Sequence, residues 1–95
     1  MNAGIATKRP IPIDWFEWKD QNYQELNQWL NRFDEELENH PSFTLNSHYD
    51  LKIETLEGSS YKVPNNYIII RGIQGEFYPC DPEIFRTSYN AKLVS

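Results

Sequence analysis

The groups in this chain that could take part in covalent or acid–base chemistry are two histidines, one cysteine and fourteen carboxylates. Cys80 could serve as a nucleophile if a histidine base and an electropositive setting lowered its pKa. It stands between Pro79 and Asp81 at the predicted end of a strand, a setting that suits a small buried packing residue. His40, His48 and Asp50 could supply metal ligands, yet they fall in a polar stretch without the short paired spacing of zinc sites, and one thiol is too few. Glu35 and Glu38 could act as an acid and base pair, but at the end of an amphipathic run and on its polar side they read as solvated. Gly72 and Gly75 come between two strands and open no helix, so they are turn residues and do not form a phosphate loop. The ionisable groups are scattered, and the expectation is a non-catalytic protein with no metal and no cofactor.

Charge carries more information. The net charge is −5, and residues 51–95 hold five basic and five acidic side chains, so the whole excess lies in residues 1–50. Residues 14–38 hold eight acids against Lys19 and Arg32 alone. Such a segment repels nucleic acid and anionic lipid, which are bound mainly through Lys and Arg, so neither is an expected direct partner. Asp34, Glu35, Glu36 and Glu38 crowd the predicted end of a helix, where the macrodipole disfavours negative charge. These four, with Asp14 and Glu17, are the candidate partner-binding residues; a solubilising face is the plainer alternative. A second set, Tyr67, Arg71, Tyr78 and Arg86, could line a small-ligand pocket by stacking a base and pairing its phosphate.

These side chains need a framework, and the apolar pattern predicts one. Residues 1–7 are small and polar and read as a loose arm, with order beginning near Lys8 and a single domain running over residues 8–95. Ile11, Ile13 and Trp15 alternate as in a strand that ends or bulges near Trp15, because Phe16 and Trp18 fall on the other parity. Pro12 assigns it to an edge. From Asn22 the spacing becomes helical, with Tyr23, Leu26, Trp29, Leu30, Phe33 and Leu37 at intervals of three and four. Asn22 and Glu25 have the form of a capping box, and the helix is expected to stop before Asn39-His40-Pro41.

Leu51, Ile53 and Thr55 alternate with polar residues, and Glu57-Gly58-Ser59-Ser60 leads into Tyr61-Lys62-Val63, which predicts a hairpin. Pro64-Asn65-Asn66 reads as a turn. Ile68-Ile69-Ile70, apolar on both parities, suits a central strand covered on both faces. Asp81-Pro82-Glu83 predicts a helix start, with Ile84, Phe85 and Tyr89 as its anchors. The predicted fold is α+β: a small antiparallel sheet of about four to five strands packed by one long amphipathic helix, plus a short C-terminal helix.

The run Ile68–Ile70 is far short of the roughly 18–20 apolar residues that cross a bilayer, and no apolar leader follows Met1, so a cytosolic protein is expected. A single cysteine excludes an internal disulfide.

The blocks Leu56-Glu57-Gly58, Pro64-Asn65-Asn66-Tyr67-Ile68-Ile69 and Gly72-Ile73-Gln74-Gly75-Glu76-Phe77-Tyr78-Pro79-Cys80-Asp81-Pro82-Glu83-Ile84-Phe85 resemble the phage and prophage proteins called PGDYG proteins. Those also open with a basic-Lys-Pro strand that ends in an aromatic, as Lys8 through Trp18 does here, followed by an amphipathic helix. The resemblance covers about residues 8–90 and departs at Asn65 and Asn66, which replace the family's Gly and Asp. It has no counterpart over residues 31–47. It implies a phage origin acting in the host cytoplasm, and with the acidic segment it leads to an expected function. That function is an accessory protein that binds and inhibits a host protein, with antiviral defence as the setting (an anti-CRISPR-like or other counter-defence factor) and a nucleic-acid-binding component as the partner. A nucleotide-signal sponge and a virion or replication accessory protein are the alternatives, and the oligomeric state is open between monomer and homodimer.

Overall fold

The structure, a computed structural model, describes residues 2–7 and 11–90. The predicted onset of order at Lys8 falls outside the described residues. In chain order the elements are β1 (Asp14–Glu17), α1 (Tyr23–Asn31), β2 (Phe43–Leu45), β3 (Leu51–Glu54), β4 (Ser60–Lys62), β5 (Ile68–Arg71), β6 (Phe77–Cys80) and α2 (Pro82–Ser88). Among the described residues, six strands form two antiparallel three-stranded sheets, ordered β1-β5-β6 and β2-β3-β4. The expectation of one sheet under a long helix is therefore corrected on both counts: there are two sheets, and both helices are short.

Helix α1 has nine residues and ends well before the predicted limit at residue 38. Arg32 N–H donates to Trp29 O (3.2 Å) and Phe33 N–H to Leu30 O (2.9 Å), which tightens the last turn. Asp34 then takes a left-handed φ of 60°. No basic side chain stands in the last turn, so a continuing helix would set Asp34, Glu35, Glu36 and Glu38 against the negative end of the dipole. Phe33 and Leu37 still reach the core, but from a folded-back loop, and Leu37 N–H donates to Asn27 Oδ1 at 2.9 Å. The capping box does not form either. Asn22 Oδ1 accepts from Lys19 N–H (3.0 Å) and its Nδ2 donates to Glu17 O (3.1 Å), so this side chain locks the corner from β1 into α1.

Strand β1 starts three residues after Ile11 and ends two after Trp15, later than its alternation predicts. Trp15 and Phe16 point to opposite faces of the sheet, and both faces are covered, which is why the parity looked broken. The edge position expected from Pro12 is found, with β1 outermost and β5 central. Ile68, Ile69 and Ile70 are all buried. Ile69 joins the main core of Trp18, Leu26, Trp29, Leu30, Phe43, Leu51, Ile53, Val63 and Phe77, while Ile68 and Ile70 join a second cluster with Phe85. The sheet of β1, β5 and β6 thus lies between α2 on one side and α1 with the other sheet on the opposite side. Each large aliphatic side chain so covered contributes about 1.5–3 kcal/mol.

The β3–β4 hairpin and the turn at Pro64 form where the sequence places them, the latter closed by Tyr67 N–H to Pro64 O at 3.1 Å with Asn66 left-handed. Strand β2 was not foreseen. It lies within residues 31–47 and carries the buried Phe43. Helix α2 begins as expected, with Asp81 Oδ1 accepting from Glu83 N–H (2.8 Å) and Ile84 N–H (3.3 Å). Phe85 and Tyr89 anchor it, but Ile84 does not: it is 60% exposed. No helix among the described residues is long and apolar enough to cross a membrane.

Candidate interaction site at the acidic loop

The loop after α1 is held by a cluster of three ionisable side chains. Arg71 ends β5 on the same parity as Ile69, so its side chain is directed to the face of the main core, where an unmatched cation is costly. Its guanidinium lies 4.3 Å from the ring centre of Phe33, and its Nη2 is 3.6 Å from Glu35 Oε2. The other oxygen of Glu35 is 2.6 Å from His40 Nε2. The side chain of His40 is almost fully buried and meets Phe43 and Phe77 edge-on.

Its second nitrogen, Nδ1, accepts from Ser42 N–H at 3.0 Å. An acceptor at Nδ1 carries no proton, which assigns the proton to Nε2 and makes Nε2–H the donor to Glu35. Both ring nitrogens are committed, so His40 cannot take a metal without breaking one of these bonds. Gly75 supports the far side of Arg71. It has φ +80°, and a Cβ there would come within 3.4 Å of Arg71 Nη2.

The consequence for the loop is directional. With Glu35 turned inward, its neighbours Asp34 and Glu36 are exposed, as is Glu38. Asp14 stands opposite Arg71 in the β1–β5 register and therefore shares its face. Glu17 does not belong to this group. It pairs with Ile68 at the other end of β1, on the side that faces α2. Glu35 and Glu38, considered above as a helical acid–base pair, are not on a helix, and Glu35 is engaged inside.

The second candidate set is not gathered. Tyr67 and Arg71 are directed to the main core, and Tyr67 OH donates to Asp81 Oδ2 (3.3 Å). Tyr78 packs in the α2 cluster on the opposite face, where burial, then its hydrogen bond with Tyr89, pushes its hydroxyl up to about 12. Arg86 is solvent-exposed on α2 beside Glu83 (3.6 Å).

Burial, and after it the carboxylate of Asp81, pushes the Cys80 thiol up, so its thiolate is disfavoured. His48 is exposed, and the carboxylate of Asp50 accepts only a long contact from Asn46 Nδ2 (3.4 Å). Among the described residues no group of three or more His, Cys, Asp or Glu is arranged to hold a metal ion. Sequence reasoning missed the parts played by His40 and Phe33. The available signal was Arg71 itself, a cation on the buried parity of a central strand, which requires an acid partner from elsewhere in the chain.

Comparison of the chain with protein-family models, with curated proteins and with solved structures gave no match.

Proposed function

We propose that this chain is a non-catalytic phage accessory protein that acts in the host cytoplasm, where it binds and blocks a host protein through the loop of residues 32–38. The target class is a nucleic-acid-binding component of antiviral defence, whose basic groove accepts Asp34, Glu36 and Glu38 in place of phosphates. The observation that carries this reading is the inward tie of Glu35 to His40 and Arg71, which sets its acidic neighbours outward in one arrangement before any partner arrives. Pre-organisation of this kind reduces the ordering cost of association. Negative charge of one sign steers a basic partner and makes association salt-sensitive. Half-buried Phe33 and Leu37 beside the acids supply apolar contact. The PGDYG resemblance over the turn at residue 64 and the block from Gly72 to Phe85 supports a phage setting.

Affinity capture from host lysate tests the reading. A specific partner retained by the native chain should be lost when Asp34, Glu36 and Glu38 are all changed to Lys, and kept when Glu17 and Glu25 are changed instead. Loss in neither variant, or equal loss in both, would refute the assignment to this loop.

A further inference from the structure

The outer edge of the sheet β2-β3-β4 is open. Strand β4 pairs with β3 alone, and its three residues are all exposed. Two hydrogen bonds fix which of its backbone groups face inward: Val63 N–H donates to Leu51 O and Thr55 N–H to Ser59 O, both at 2.9 Å. Leu51 with Val63, Ile53 with Tyr61 and Thr55 with Ser59 are therefore the hydrogen-bonded pairs of this antiparallel ladder, and Ser60 and Lys62 turn their N–H and C=O groups outward. No other backbone group among the described residues bonds to these four.

An open edge is a template for another strand, and lysine on the edge deters most partners. A second copy of β4 laid antiparallel must pair the outward residues with one another. With Lys62 opposite Lys62, like charges meet and Ser60 falls opposite Pro64, which has no N–H to give. With Ser60 opposite Ser60, Lys62 falls opposite Gly58, which has left the extended region at φ 81°. With Ser60 opposite Lys62, both outward residues of each copy are used and four backbone bonds close the seam.

The side chains favour this same register. Tyr61 then meets Tyr61 across the two-fold axis, in a pair that exchanges no backbone bonds and so brings the rings close. Tyr61 lies on the face of buried Ile53 yet is 45% exposed, and the pairing covers it. On the other face, Lys62 stands directly opposite Lys52, and Glu54 opposite Ser60. None of Lys52, Glu54 and Lys62 belongs to an ion pair among the described residues. Across the seam the row reads Lys52, Lys62, then Ser60 and Glu54 of the second copy. Lys62 and that Glu54 are about 10 Å apart at their Cα atoms, two strand spacings, and the short Ser60 between them lets the lysine stem reach the carboxylate. The two-fold axis forms this pair twice.

We propose that β4 is a homodimer seam, in which two copies join antiparallel through Ser60 and Lys62, with Tyr61 on the axis, into one six-stranded sheet. The occupant is a second copy because this short strand is complementary to itself in backbone bonds, aromatic contact and charge. The seam is small beside the interfaces of permanent dimers, so the association is weak and reversible. It shares no residue with the loop of residues 32–38 and stands or falls independently of it.

Sedimentation equilibrium of the full chain from roughly 10 μM to 1 mM should show a reversible monomer–dimer equilibrium. The amides of Ser60 and Lys62 should exchange more slowly at the upper concentration than at the lower. Lys62→Pro removes one outward N–H from each copy while leaving the β3–β4 ladder its bonds, and should weaken the dimer about tenfold or more. Charge reversal gives an answer that does not depend on the proline: Lys62→Glu should weaken the dimer about threefold or more, and Glu54→Lys added to it should restore most of that loss. A chain that stays monomeric throughout, whether its edge is bare or taken by a strand of another protein, would overturn the proposal. So would a dimer that Lys62→Pro leaves equally tight, or a Glu54→Lys change that fails to rescue Lys62→Glu.

Discussion

Arg71 decides where the acidic loop sits, because its parity on β5 commits a cation to the core-facing side and Glu35 with the Phe33 ring must come to it. Gly75, beside that guanidinium, holds a left-handed φ of +80°. Gly75→Ala is expected to destabilise the fold by about 1 kcal/mol or more, since it puts a side chain at that φ. Urea denaturation measures this, and an unchanged midpoint would show that the turn relaxes freely. Tyr78 gives a prediction in pH. Its folded-state pKa of about 12 lies above the ordinary 10.0, so the folded chain holds that proton more tightly than the unfolded chain. Its contribution is complete below pH 10 and is lost as the pH rises through about 12. Tyr78→Phe has no such proton to lose. Followed by circular dichroism, it should keep more of its neutral-pH stability across that window than the native chain; equal alkaline losses would contradict this.

The chief lesson at the level of elements comes from α1. The spacing of Leu30, Phe33 and Leu37 correctly names residues that face the core, but periodicity records which side chains are covered and not the backbone path that brings them there. A loop fastened by Asn27 satisfies the same pattern. Amide exchange should therefore find protection at Leu30 and Leu37, and fast exchange at Glu36 and Glu38; uniform protection through Glu38 would restore the long helix. Asn27→Ala, which strands the Leu37 N–H, should cost about 1 kcal/mol.

Where a local residue type dictates the backbone, the sequence was sufficient. Asp81-Pro82 started α2, Asn66 accepted the left-handed turn, and three isoleucines marked the central strand. Where tertiary pairing decides, it was not. Three-residue β2 has too little alternation to announce itself, and the division into two sheets depends on β3 meeting β6 across a long stretch of chain. The acidic residues were visible as a run, but that Glu35 faces in while Asp34 and Glu36 face out depends on His40, whose setting in the sequence looks like a plain polar loop.

For the molecule as a whole, the main core draws on α1 and both sheets, so no sheet buries its apolar face alone. The eight acids of residues 14–38 divide between two ends: Asp14 and the loop of residues 32–38 around Arg71, and Glu17, Asp20 and Glu25 around the corner into α1. The functional reading rests on the first end being held in one arrangement by Glu35, His40 and Arg71. A double-mutant cycle of Glu35→Gln and His40→Phe, with each stability measured by urea denaturation, tests this most directly. The phenylalanine keeps an aromatic ring against Phe43 and Phe77 while removing the bond to Glu35. A coupling energy of about 1–2 kcal/mol between the two positions is predicted, that of a hydrogen bond to a charged group reduced by the partial exposure of Glu35. Additive effects, with no coupling between the two residues, would contradict the account.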